Sequence, residues 1–208
     1  HEMVHQVYKN QNLTRTKVKN NILRIWKLTD GDERSDWYQE ANLFATVLSK
    51  ELPNYKEDKL LAKSKVCGII SALSPVKRWS ENKKVAIDMV RTGDCGHMPL
   101  FKQKAKDILN CDGTDEAILS ILNGNKISSF YLNIRYPKQS NILTIDRHAL
   151  SIALGRWIKD EEYQGMTYKQ YEFFVQCYTL AAIQVGVTPL VMQSATWVKW
   201  RKIKSEYR

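Results

Sequence analysis

At 208 residues, with 43% hydrophobic residues and only nine glycines and five prolines, the chain has the composition of a folded globular protein with one substantial core or two small ones. Disordered and low-complexity classes are excluded, and no apolar run approaches the length of a membrane span. Thirty-two Lys and Arg against 22 Asp and Glu give a net charge of +10, which fits a polyanionic partner, nucleic acid above all, and equally a soluble basic surface.

The charge is uneven. From Met3 to Leu28 there is no acidic residue, whereas Lys9, Arg15, Lys17, Lys19, Arg24 and Lys27 are basic. The C-terminal VKWRKIKSEYR carries five Lys or Arg against one Glu, so both ends read as basic arms. His1 and Glu2 ahead of Met3 read as a cloning remnant. No signal peptide is visible, and Cys67, Cys95, Cys111 and Cys177 form no Cys-x-x-Cys pair. A reduced, cytoplasmic setting is therefore expected, with neither a zinc site nor an iron–sulfur cluster.

In chain order the apolar spacing is helical almost throughout. Ser35 or Asp36 caps a helix whose face is Trp37, Ala41, Phe44 and Leu48. DKLLAKSKVCGIISAL continues to Ser74-Pro75, where proline forbids continuation. SENKKVAIDMVRTG reads as a short helix stopped by Gly93, and the loop around 91–98 is the best candidate for an internal boundary. Pro99 opens a helix through Leu109, and Thr114 caps DEAILSIL with Asp115 and Glu116 in its first turn. Two longer helices follow, one from Thr167 to Val185 and one from Thr188-Pro189 to Ile203. No segment alternates with period two, so the expected fold class is all-α, with about ten helices. The reading is a single domain of two lobes, approximately 60–156 and 3–59 plus 157–208, with a groove between them.

Residues 121–150, ILNGNKISSFYLNIRYPKQSNILTIDRHAL, concentrate the chemistry. The spacing predicts a helix over 114–121, a tight hairpin at Leu122, Asn123, Gly124 and Asn125, and a second helix from Lys126 to about Arg135. Amides exposed in such a hairpin can hold a phosphate without reading sequence. Lys126 falls in a first helical turn, where the macrodipole opposes an ammonium, the direction a nucleophilic amine needs. Asp146 opens the next helix, where a carboxylate suits stabilisation of a developing sugar cation. His148 could orient that carboxylate or contact a phosphate. Each also has a plainer reading: a helix N-cap for Asp146, an exposed lysine for Lys126, a packing histidine for His148.

The segment LNGNKISSF…ILTIDRHAL resembles the helix-hairpin-helix Gly/Pro/Asp segment of the base-excision DNA glycosylases. That family has a Leu-Pro-Gly-Val-Gly-x-Lys-Thr-Ala hairpin followed by a Val-Asp-Thr-His stretch. Gly124 falls on the second hairpin glycine and Lys126 on the lysine of members that are also lyases. Asp146, Arg147 and His148 lie on the last three positions of the later stretch. Ser71-Ala72-Leu73-Ser74 is similar to the family's Leu-Ser-x-Gln helix end, so the resemblance spans roughly residues 60 to 156. The chain departs from the pattern at Leu122, which replaces the first hairpin glycine, and in lacking the Pro-Gly pair and the four-cysteine cluster. Ser74 or Pro75 stands where a base-displacing glutamine is expected. These departures look more like a divergent bacteriophage branch, some of whose members displace pyrophosphate from a hypermodified thymine.

The resemblance implies a two-lobed glycosylase-like fold that takes a nucleotide flipped from double-stranded DNA, working as a monomer, without cofactor or metal, in the host cytoplasm. Asp146 would stabilise the sugar cation and Lys126 attack the sugar carbon, with Leu122, Asn123, Gly124, Asn125, Arg147 and His148 on DNA. On the last helix Gln193, Trp197 and Trp200 share one face. The tryptophans read as core, with Gln193, Trp197 and Ser74 as candidates for the base pocket. Two other readings stay open: an enzyme that decorates a modified base on the same fold, of pyrophosphorylase or transferase type, and a DNA-binding module without catalysis.

Overall fold

A computed structural model describes residues 13–139, 141–163 and 165–206. Lys9, Arg208, His1 and Glu2 lie outside them. Among the described residues there is no strand. The ten α-helices among the described residues are α1 (Arg15–Trp26), α2 (Trp37–Ser49), α3 (Lys59–Ala72), α4 (Trp79–Thr92), α5 (Pro99–Leu109), α6 (Asp115–Leu122), α7 (Asn125–Arg135), α8 (Arg147–Leu154), α9 (Tyr168–Val185) and α10 (Pro189–Glu206). The all-α reading holds.

Local chemistry sets the helix limits. Thr14, Asp58, Thr114, Asp146 and Thr167 each accept a hydrogen bond from a first-turn amide of the helix they precede. Pro99 stands at the first position of α5. Glycines in the left-handed region close α4, α8 and α9.

The chain divides into two compact units, one contiguous over 38–138 and one formed by the residues up to 37 and from 139 onward. In the contiguous unit α3 is wrapped by α4, α5, α6 and α7. Its residues from Val66 to Ala72 are all buried, as expected of a helix with neighbours all round. Gly68 makes this possible, since a Cβ there would lie 2.9 Å from Ile118 and 3.1 Å from Ile108. Buried polar groups are spent on pinning helix to helix. Ser71 Oγ donates to the Ile127 carbonyl at 2.6 Å, Asn82 Nδ2 to that of Ile70 at 3.0 Å, and Asn42 Nδ2 to that of Ile134 at 2.8 Å. The hydroxyls of Tyr131 and Tyr136 both donate to Asp115, tying α7 back to the start of α6.

In the other unit α1 packs on α8, α9 and α10. The stretch read as a basic arm is therefore a core helix from Arg15 onward. Val18, Ile22, Leu23, Ile25 and Trp26 are buried, and the cations occupy the opposite side. Tyr178 and Tyr171 then fix the approach to α8. Tyr178 Oη donates to the Ala149 carbonyl at 2.7 Å. Tyr171 Oη donates to the Leu143 carbonyl at 2.7 Å and accepts from the Ile145 amide at 2.8 Å. The residue that follows is Asp146.

Candidate functional site

Asp146 is half-buried and caps α8. Its Oδ1 accepts from the Ala149 amide at 2.8 Å, and its Oδ2 accepts from Trp197 Nε1 of α10 at 3.1 Å. The carboxylate thus serves as the N-cap of its plainer reading and is also oriented by a distant indole.

The indole that donates to it stands on a helix whose tryptophans pack with other rings and cations. Trp37 meets Trp197 edge-on at 5.3 Å between centroids, and the Arg201 guanidinium lies 4.9 Å over the Trp197 ring. Trp157 stacks on Trp200 at 6.3 Å, and Lys204 Nζ lies 4.6 Å from the first ring and 4.7 Å from the second. Such cation–ring contacts hold both partners in a defined geometry. Trp200 is buried, and its Nε1 has no hydrogen-bond partner.

His148 packs its ring 5.7 Å from Trp157, with Nδ1 shielded and unpartnered. Burial pushes the imidazole down to about 4, against the pull of Asp146, and Arg201 and Arg147 push the same way as burial. It is therefore a neutral group at neutral pH. Arg147 is committed to structure: Nη1 donates to the Ile158 carbonyl at 2.7 Å, Nε pairs with Asp160 at 2.6 Å, and the guanidinium covers Trp157 at 4.7 Å.

In the contiguous unit a two-residue turn joins α6 to α7, shorter than the four-residue hairpin expected because Leu122 ends the first helix and Asn125 opens the second. Asn123 takes a left-handed conformation (φ 49°), Gly124 follows at φ 148° and ψ 141°, and α7 begins at Asn125. Only glycine adopts the second of these without strain. Leu122 is buried, and its carbonyl accepts from Lys104 Nζ at 2.7 Å. Asn123, Gly124 and Asn125 are exposed, Lys126 is half-buried in the first turn of α7, and no side chain caps that turn.

The sequence-derived sites fall into two groups. Lys126, the hairpin and Ser74 belong to the 38–138 unit, whereas Asp146, Arg147, His148, Gln193 and Trp197 belong to the other. Ser74 Oγ is turned back onto the Ser71 carbonyl at 2.8 Å, and Gln193 is 2% exposed, so neither presents a free polar group on the surface of its unit. The structure adds Trp37 and Arg201 against Trp197, the donor to Asp146, and Trp157 and Lys204 against Trp200. The pairs Trp197–Arg201 and Trp200–Lys204 are legible as i, i+4 neighbours on α10. Trp37 and Trp157 carry no local signal.

Among the described residues no three or more His, Cys, Asp or Glu side chains gather as for a metal ion, and no single helix is long and apolar enough to cross a membrane. The chain belongs to DUF7178, a family of unknown function whose model matches residues 4–204. No curated protein and no solved structure matches it.

Proposed function

We propose that this DUF7178 protein is a DNA base N-glycosylase with an associated lyase step, acting on a damaged or modified base flipped out of the duplex. The reading is carried by Asp146, a half-buried carboxylate fixed through both oxygens at the start of α8, one of them by an indole that Arg201 covers. A carboxylate fixed before reaction stabilises an oxocarbenium-like sugar without a reorganisation cost. The exposed hairpin at Asn123, Gly124 and Asn125, with the uncapped first turn of α7, supports phosphate binding.

In this reaction the glycosidic C–N bond breaks as Asp146 stabilises the cationic sugar, and the departing base takes up a proton. The Lys126 amine, in its free form, bonds to the sugar C1′ and gives a Schiff base after ring opening. Loss of a proton from C2′ then expels the 3′ phosphate. Flipping is required because a stacked, paired nucleotide hides its glycosidic carbon.

A second reading, a DNA-binding module without catalysis, is favoured by one observation: both Asp146 oxygens already have donors within the protein, one as a helix cap and one as a tie to α10. Borohydride trapping and base release on duplexes carrying a panel of altered bases and an abasic site separate the two. Glycosylase chemistry gives a trapped adduct that Lys126→Ala abolishes while duplex affinity stays within about threefold, since one cation among many is lost. Duplex binding with neither adduct nor released base sinks the enzymatic reading.

A further inference from the structure

A cleft of about 320 Å³ opens in the 38–138 unit, lined by Phe44 of α2 and by Ser80, Lys83, Lys84, Ile87 and Asp88 of α4. Its floor is aromatic. Trp79 backs Phe44 edge-on at 5.8 Å, and Lys83 Nζ lies 5.4 Å from the Trp79 ring and 6.0 Å from that of Phe44. Its rim is cationic. Lys84 is largely exposed and offsets Asp88 at 3.6 Å, while Lys77 and Arg78 stand just before α4. Flanking the floor on α2, Leu43 is 56% exposed and Val47 64%.

We propose that this cleft takes an unstacked base of a single-stranded nucleic acid, its ring against Phe44 and Ile87 and its flanking phosphates on Lys83 and Lys84. The combination of groups selects this occupant. An acidic peptide would pair with the lysines and leave the rings wet, whereas an apolar peptide would cover the rings and desolvate Lys83 without a counter-charge, Lys84 alone having Asp88 beside it. A nucleotide supplies a flat apolar face and an anion one sugar away, and aromatic floors with basic rims hold single strands by that pairing. Duplex DNA does not fit, because its base faces are already stacked. The cleft needs neither Asp146 nor Lys126, so it goes beyond the reaction proposed above.

The test uses the full chain and a labelled oligothymidylate, titrated at several salt concentrations, with a duplex in parallel. Phe44→Leu keeps apolar volume but loses the ring. It weakens single-strand binding about tenfold with the salt slope unchanged, as loss of a stacking contact does. The double variant Lys83→Gln and Lys84→Gln lowers the slope of log K against log salt by about 1.4, two single-strand phosphates at about 0.7 each. Both leave duplex affinity nearly unaltered.

Wild-type levels of single-strand binding and slope in the double variant overturn the proposal, as does an equal loss on duplex and single strand. These lysines are surface residues, so the double variant remains informative even if Phe44→Leu is unstable. Base release assayed on the same preparations keeps the two ideas apart. Its absence with intact single-strand binding counts against the reaction and leaves the cleft standing.

Discussion

Trp197 donates its indole N–H to Oδ2 of Asp146 across 51 positions of sequence, linking α10 to the start of α8 at 3.1 Å. A hydrogen bond to a charged group contributes roughly 1.5–3 kcal/mol. Trp197→Phe removes that donor while keeping a ring for Trp37 and Arg201 to pack on. Base release is expected to fall about tenfold or more, with duplex affinity changed by less than about threefold. An unaltered rate would place the bond outside the reaction.

Asp146 holds two roles that substitution can separate. Asn still accepts from the Ala149 amide but turns an NH2 toward Trp197 Nε1, so Asp146→Asn should lose the indole bond, roughly 1.5–3 kcal/mol, whereas Asp146→Ala should lose the cap as well, about 1–2 kcal/mol further. Base release should vanish in both. Chemical denaturation alongside the release assay reads the two effects. Retained release in the Asn variant would reduce Asp146 to a cap.

Gly124 offers a purely backbone test. A Cβ at this position would meet nothing within 4 Å, yet φ is +148°. Gly124→Ala therefore carries conformational strain of about 1–3 kcal/mol with no steric clash to confuse it. The expected result is a lower melting temperature together with weaker duplex binding, because the exposed amides of the hairpin shift. Gly31 lies in open space without a positive φ, and Gly31→Ala should do neither.

Acid should loosen the unit that contains His148. The imidazole is held down to about 4 in the folded chain against an ordinary 6.5, so the unfolded chain binds its proton first as pH falls. Stability from this source is complete above about pH 6.5 and falls by at most about 1.4 kcal/mol per pH unit below it, levelling off near pH 4. The groups that set the balance around it are Asp146, Asp160, Arg147 and Arg201. Comparing urea midpoints at neutral and mildly acid pH, wild type should lose more than His148→Phe. Parallel losses would mean that His148 does not titrate this way.

Much of the fold was legible where a single residue dictates the backbone. Pro99 and Thr114 mark the starts of α5 and α6 as expected, and Asn123-Gly124 marks the turn between α6 and α7. Charge obscured α1, since Val18, Ile22 and Trp26 keep a helical period that the surrounding lysines and arginines hide. In α2 Ala41 and Leu48 of the expected face are buried, whereas Trp37 and Phe44 are half-buried. Tyr38, Ala41, Asn42, Ala45 and Leu48 are buried, leaving Phe44 at the edge where it lines the cleft.

The division of the chain was harder to read, and the sequence places it near 59/60 and 156/157 instead. One boundary, 37/38, falls inside α2, where no glycine or proline marks it. Of the candidate residues, Lys126 and Asp146 stand at helix starts as their neighbours dictate. The Trp37 and Trp157 contacts depend on packing between distant segments, for which a local pattern holds no information.

The insertion of one unit within the other has a consequence for synthesis on the ribosome. Every helix of the 38–138 unit is in hand once residue 138 has emerged, so that unit can condense while the rest is still being made. α1 emerges earlier but must wait, because α8, α9 and α10 are encoded after that unit. During that wait Val18, Ile22, Leu23, Ile25 and Trp26 have no partner helix to cover them. The unbroken run of positive charge along this segment then acts as a solubiliser, repelling other nascent copies until translation delivers the surfaces it packs against.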